Sequence, residues 1–290
     1  MARLILASLA WTPRPFAERL ARVYARLLDR LVPRLRRIAL RNLEFALPEL
    51  TPAQRTGIVN GVFESIARLL VAVSRFPRLD SRNIGEWIRY EGLEHFKRAR
   101  EEGKGVLFAT GHLGNWELSA FAHGLMTAPM NVVVRPLDNP LLDRLVTRYR
   151  SLTGNRVIEK KDFVRGIMKA LHANEAVGIL IDQNAGLDDG VFVDFFGKTA
   201  AASPSFAKLA ARTGAAVIPG FALWSREEKR YVLRFDPALP MTGDAAVDTQ
   251  RLQSHIESVI REYPDQWLWI HRRWKTRPPG ADPLYADQLH

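Results

Sequence analysis

From residue 88 onward, short apolar runs alternate with stretches of helical periodicity, and this alternation limits the fold more than any other feature of the chain. The apolar runs lie at 88–91, 106–110, 132–134, 157–158, 177–181, 216–223 and 231–235. Helical patterns fall between them, near 93–102, 115–127, 140–151, 162–173, 203–213 and 247–262. Strands that alternate with helices are joined by crossovers and pair mainly in parallel. We therefore predict an α/β fold with a mostly parallel central sheet flanked by helices, and antiparallel pairing towards its C-terminal end.

The first 80 residues follow a different pattern, with helical periodicity throughout. Between residues 16 and 31 the large apolar side chains recur every three or four positions, as one face of a helix requires. Thr51, Pro52 and Gln54 are typical of a helix start, with Thr51 as the cap. We expect an all-helical basic arm over 1–80 and one α/β domain over 81–290.

The positive charge of the chain is concentrated in this arm. The whole chain has 42 Lys and Arg against 31 Asp and Glu, and residues 1–41 alone contain ten arginines and two acidic residues. Such a charge calls for an anionic partner: nucleic acid, an anionic membrane surface or an acidic carrier protein. An apolar stripe beside arginines suits a helix in a membrane interface, and a core-packed helix with solvated arginines is the alternative. Residues 1–11 are too few to cross a bilayer, and no transmembrane segment is expected.

A second segment, residues 106–117, has the composition of a reactive turn. A strand pattern runs into Gly111, His112 and Gly114, and Asn115 can cap the helix that follows. The chain has no cysteine, so His, carboxylates, hydroxyls and Lys must carry any chemistry. If Glu117 folds back to the imidazole, His112 becomes a general base for a hydroxyl of the substrate. A structural histidine beside a capping glutamate is the alternative.

These residues and three later segments resemble the late acyltransferases of lipid A biosynthesis, within the wider lysophospholipid acyltransferase group. His112 to Glu117 is similar to the HxxxxE block of that family, and the match spans roughly residues 40–277. The other matching segments, in order, are 134–140, 181–184 followed by 190–197, and 267–275. One departure is the charged N-terminus, since family members commonly begin with a membrane-embedded helix.

The resemblance implies transfer of a fatty acyl chain from acyl carrier protein or acyl-CoA to a hydroxyl of a lipid acceptor, most simply a lipid A precursor. It implies no metal and no cofactor, and it makes the cytoplasmic face of the inner membrane the expected location, with peripheral or monotopic attachment. His112 and Glu117 carry over as the catalytic pair. The expected substrate-binding residues are Asn115, Arg135, Asp182 and Gln183. Arg135 suits a phosphate, and Asp182, at the same sheet edge as His112, is expected to hold the acceptor or pair with Arg135.

Several alternatives remain open from the sequence. The acceptor can be another lysophospholipid or glycolipid, and the chain can instead bind nucleic acid or serve as a non-catalytic membrane-surface protein. The phenylalanines at 192, 195 and 196 can wall an acyl groove or fill a core. The tryptophans at 267, 269 and 274 can form a membrane-interface belt or be buried.

Overall fold

The computed structural model describes residues 2–159 and 163–285. Ten α-helices and nine strands occur in this part of the chain, with short 3₁₀ turns between some of them. The helices are α1 (Ala2–Trp11), α2 (Arg14–Leu31), α3 (Pro33–Ala46), α4 (Pro52–Arg75), α5 (Leu93–Glu101), α6 (Trp116–Met126), α7 (Pro140–Arg150), α8 (Phe163–His172), α9 (Ser205–Thr213) and α10 (Ala245–Glu262). The strands are β1 (Ile88–Glu91), β2 (Val106–Thr110), β3 (Asn131–Val134), β4 (Arg156–Glu159), β5 (Ala176–Leu180), β6 (Val191–Phe195), β7 (Lys198–Ala202), β8 (Ala216–Ser225) and β9 (Arg230–Phe235).

Seven of these strands form one sheet in the order β1-β9-β8-β2-β5-β3-β4. Only β8 and β9 pair in antiparallel fashion among its described strands. Helices α5 and α6 cover one face, and α8, α9 and α10 cover the other. The predicted mostly parallel α/β fold is therefore confirmed, as are the seven predicted strands.

The antiparallel hairpin β6–β7 was not predicted as such. Strand β7 reads KTAAA, and alanine has little intrinsic preference for strands, so its pattern does not indicate one. Phe195 and Phe196 of this hairpin are buried in the core, whereas Phe192 is exposed. The core interpretation thus holds for two of the three phenylalanines.

Three C-terminal tryptophans, at 267, 269 and 274, are fully buried and pack with Phe195 and Phe196. The alternative of a membrane-interface belt is wrong for these side chains, because no surface is left to contact lipid. The same apolar cluster includes residues of α1 to α4, so the N-terminal helices share a core with the hairpin, β8 and α10.

Helix α4 begins as the sequence predicts. The Thr51 side chain accepts from the Gln54 backbone N–H, and the Gln54 side chain accepts from the Thr51 N–H. Helix α4 and the turn after it, residues 52–78, are long and apolar enough to cross a membrane. No transmembrane segment was predicted from the sequence. Of its most apolar window, 44% is buried inside the protein.

Helix α2 packs on α4 mainly through small residues and leaves most of its large ones outside. Ala17, Ala21 and Ala25 are buried, while Val23 and Leu27 remain exposed. Alanine lets the two helices approach closely, and of the stripe of large apolar side chains that the sequence indicates, only Leu20 and Tyr24 pack partly against the core.

Candidate active site

The site forms where β2 ends and α6 begins. Gly114 has a φ of 64°, and a side chain there would place its Cβ 2.0 Å from the Ala222 carbonyl oxygen, so only glycine fits. Asn115 then caps α6 by accepting from the Leu118 N–H at 3.0 Å. This tight turn exposes His112 at the carboxyl edge of the sheet, where parallel sheets place their ligands.

The carboxylate that holds His112 is Asp182, which follows the neighbouring strand β5. The His112 Nδ1 lies 2.9 Å from one carboxylate oxygen, and the His112 backbone N–H donates to the other at 2.7 Å. The indole N–H of Trp267 also donates to that second oxygen, at 2.8 Å. Asp182 is completely buried, and its oxygens are occupied by these three donors. Asp182 therefore binds His112 and Trp267 in this structure, and the acid nearest to Arg135 is Asp138 instead.

The register of the sheet brings His112 and Asp182 together. Thr110 pairs with Leu180 and Ala109 with Ile179, so each β2 residue stands opposite the β5 residue 70 positions later. His112 and Asp182 continue the same offset two residues beyond their strands. The sequence contained this signal, because both residues follow buried apolar runs, but using it requires the strand order and register.

The electrostatics of the pair follow from burial and proximity. Burial lowers the pKa of His112, and the charge and hydrogen bond of Asp182 raise it further than burial lowers it, so the net shift is upward from 6.5. Burial by itself would raise the pKa of Asp182. Its neighbour His112 and the Trp267 hydrogen bond outweigh that effect and hold the carboxyl well below its usual range. Asp182 is therefore ionised, and the Nδ1 of His112 carries the proton that it donates.

Glu117 does not fold back to the imidazole as expected. It lies in the first turn of α6 and binds the guanidinium of Arg150 at the end of α7, with N–O distances of 2.9 and 2.5 Å. Both side chains are mostly buried. Arg150 was not predicted from the sequence, because it belongs to no motif and its partner lies 33 residues away.

The remaining candidates occupy different environments. Asn115 is completely buried and its side chain serves the helix cap, and its contact with substrate stays a prediction. Gln183 is exposed, and its side-chain nitrogen lies 3.4 Å from the Nε2 of His112. Arg135 follows β3 at the same sheet edge, with its side chain 82% exposed and Asp138 4.0 Å away.

An apolar pocket lies between the sheet and α6, next to this edge. Its walls include Phe108, Val132 and Leu180, and Glu117 and Arg150 stand among its lining residues. Gly178 and Gly220 also line the pocket, and their lack of a side chain lets the Met130 methyl and the Phe235 ring pack directly against the sheet. Within the described residues, no three His, Asp or Glu side chains are grouped to hold a metal ion.

Comparison with known proteins identifies the family of this chain. Residues 2–276 match the sequence profile of a family described as bacterial lipid A biosynthesis acyltransferase. The chain is 32% identical to the lipid A biosynthesis lauroyltransferase of Escherichia coli strain K12 over 276 residues, which cover 94% of this chain and 90% of the relative. It is 31% identical to the palmitoleoyltransferase of the same strain over 86% of this chain and 81% of the relative. The myristoyltransferase of that strain is 24% identical over 95% and 86% of the two chains. The chain therefore belongs to the bacterial lipid A biosynthesis acyltransferase family and is an acyltransferase.

Proposed function

We propose that this protein transfers a fatty acyl chain from a thioester to a hydroxyl of a lipid A precursor, with His112 as the general base. The observation that carries the proposal is the hydrogen bond from His112 Nδ1 to the buried Asp182. A neutral imidazole that donates through Nδ1 keeps its lone pair on Nε2, where a hydroxyl can give up its proton.

In the reaction, the acceptor oxygen forms a bond to the thioester carbonyl carbon while Nε2 takes the hydroxyl proton. The C–S bond then breaks, and the imidazolium returns the proton to the leaving sulfur. Asp182 stabilises the transient imidazolium because it is a fixed negative charge at 2.9 Å. It acts as a positioning residue and makes no contact with substrate.

Gln183 is the best-placed of the candidates to bind the acceptor. Its amide lies within 3.4 Å of Nε2 on the exposed side of the imidazole. A hydroxyl that approaches Nε2 displaces this weak contact, and the freed amide can then bind the acceptor. Arg135 is expected to bind a phosphate of the donor or acceptor, because its guanidinium is exposed at the same edge.

The pair formed by Glu117 and Arg150 has a different role in this proposal. Both line the apolar pocket. The Glu117 charge raises the pKa of His112 and the Arg150 charge lowers it, and both effects are smaller than those of burial and of Asp182. Glu117 thus remains in the catalytic site, where it holds Arg150 at the pocket mouth and favours the imidazolium. The pocket receives the acyl chain in this proposal, since its walls are apolar and it adjoins the reacting groups; its volume of about 50 Å³ holds only a small part of such a chain, so the walls move apart when the donor binds.

We further propose that the protein attaches peripherally to the cytoplasmic face of the inner membrane through α1 and α2. Helix α2 exposes Phe16, Val23, Leu27 and Leu31, and its arginines flank this stripe. Apolar side chains at the headgroup boundary and guanidinium groups on phosphates favour an anionic surface together. Either donor form is anionic, and the net charge of +11 suits an acidic carrier protein or the phosphates of CoA.

The reaction is tested with acyl-carrier protein and acyl-CoA as donors, and with a lipid A precursor, a lysophospholipid and a glycolipid as acceptors. We expect acylation of the precursor and its loss in His112→Ala. His172→Ala is the matched control, because this histidine is exposed on α8. Full activity of a folded His112→Ala protein would refute the base assignment, and preference for a lysophospholipid would refute the acceptor.

A further inference from the structure

Helix α7 has an unusual surface for a helix of a folded domain. All eleven of its residues are described by the structure, and none is fully buried. Its outer face presents Leu141, which is 58% exposed, followed by Arg144 and Arg148, and Leu137 is exposed just before the helix. Large apolar side chains beside arginines on one exposed face are the pattern of a helix that lies in a membrane interface.

The helices next to α7 also expose large apolar side chains. Helix α7 lies beside α1, which exposes Leu4 and Trp11 on its outer face, and α1 lies beside α2. Helix α1 therefore lies between α2 and α7 and contacts both, and all three helices carry exposed apolar side chains. At its C-terminal end, α7 holds Arg150, which binds Glu117 at the apolar pocket.

We propose that α7, together with residues 135–139, is a second membrane-contacting element that brings the mouth of the pocket to an anionic bilayer. Leu137 and Leu141 enter the headgroup boundary, and Arg144 and Arg148 bind lipid phosphates. This inference rests on the proposed function, because it takes the substrates of the pocket to be lipids.

The alternative partner for an arginine-bearing helix is an acidic carrier protein. Two features favour the bilayer. The exposed leucines have exposed apolar counterparts on α1 and α2, which contact one another and α7 in series. A bilayer is extended enough to contact all three helices. The acceptor lipid can then reach His112 from the plane of the membrane without passing through water, which an acyl chain resists.

The first test uses the absence of native cysteine, which makes a single introduced thiol the only labelling site. Leu141→Cys, Leu27→Cys and Val247→Cys are each labelled with a polarity-sensitive dye and mixed with phosphatidylglycerol–phosphatidylethanolamine vesicles. Val247 is the matched control, since it is 49% exposed at the start of α10, which packs on α9 and β6. We expect a blue shift and quenching by spin-labelled lipid at positions 141 and 27, and neither at position 247.

Two outcomes would overturn the proposal. If the label at position 27 responds to vesicles and the label at position 141 does not, only the N-terminal helices contact the membrane. If the label at position 141 responds to acyl carrier protein and not to vesicles, α7 docks the donor.

A second variant separates this inference from the proposed function. Leu141→Glu should reduce the vesicle-bound fraction roughly tenfold, because one exposed leucine is replaced by a charge at an anionic surface. Activity on an acceptor embedded in vesicles should fall with it, and activity on the same acceptor in detergent should stay unchanged. Equal losses in both media would contradict a membrane role for α7, whereas absence of acyl transfer by the unmodified protein in detergent would contradict the proposed function alone.

Discussion

Replacing Asp182 with asparagine should change both the rate and the pH dependence of acyl transfer. The substitution removes the negative charge that lies 2.9 Å from His112 Nδ1 and leaves the size of the side chain nearly unchanged. Burial, which lowers the pKa of His112, then acts without the opposing charge. The pKa of His112 should therefore fall.

The direction of the pH shift follows from the role of the base. His112 acts only when its Nε2 is unprotonated, so kcat/KM rises with pH as His112 loses its proton. This rise is the acid limb of the pH profile. In the unmodified enzyme its midpoint should lie above pH 6.5, because the pKa of His112 is raised from that value. In Asp182→Asn the limb should move to lower pH, while the plateau falls by about 10²–10⁴ because the imidazolium loses its stabilising charge.

The fold should survive at a measurable cost. The carboxylate accepts from the His112 N–H, the His112 ring and the Trp267 indole, and an amide oxygen replaces only part of these contacts. We expect a loss of about 1–3 kcal/mol in the free energy of unfolding. Denaturant unfolding followed by circular dichroism measures this loss and confirms that the variant assayed is folded.

Single-turnover acyl transfer across a pH series is the assay, with Glu117→Gln as the comparison. Because the Glu117 charge has the smaller effect on the pKa of His112, its variant should move the acid limb less than Asp182→Asn does. A folded Asp182→Asn enzyme with an unmoved acid limb would refute the assignment of Asp182 as the partner. A larger shift in Glu117→Gln would return that role to Glu117.

Three further predictions concern the surroundings of the pair. Glu117→Gln and Arg150→Gln should be non-additive in kcat/KM, with a coupling energy of about 0.5–3 kcal/mol in a double-mutant cycle, because each is the partner of the other; simple addition would mean that the ion pair has no role. Arg135→Ala should raise KM with little change in kcat, since a phosphate contact precedes the transition state; a fall in kcat alone would assign Arg135 to catalysis. Gly178→Ala should shift donor preference towards shorter acyl chains in a thioester series, because the new Cβ lies 2.7 Å from the Met130 methyl and pushes it aside. An unchanged chain-length profile would mean that the acyl chain lies elsewhere.

The sequence predicts the architecture of this protein better than its contacts. Hydrophobic periodicity is a local property, so it locates all seven strands of the main sheet, and the polar side chains of Thr51 and Gln54 locate the start of α4. The resemblance also identifies His112 as the centre of the site. The partner of His112 depends on which strands are neighbours, and spacing along the chain favours Glu117 over a carboxylate 70 residues away.

Exposure is the other property that the sequence leaves undetermined. The periodicity of α2 identifies a stripe of large apolar residues, but only packing shows that alanines face α4 and that most of the stripe is exposed. Trp267 shows the opposite outcome. The sequence allows it to lie at a membrane surface, but it is buried, and its indole N–H donates to Asp182 inside the core. In both cases a neighbouring element, remote in sequence, decides which face is covered.

The constant offset between β2 and β5 has an evolutionary consequence. The two strands hold His112 and Asp182 in register, while α6, β3, α7, β4 and α8 are all inserted between them along the chain. Substitutions and length changes in this insertion can reshape the pocket and the surface around it without moving the proton-transfer pair. Such an arrangement lets donor preference diverge among descendants of one enzyme while the chemical step is inherited intact.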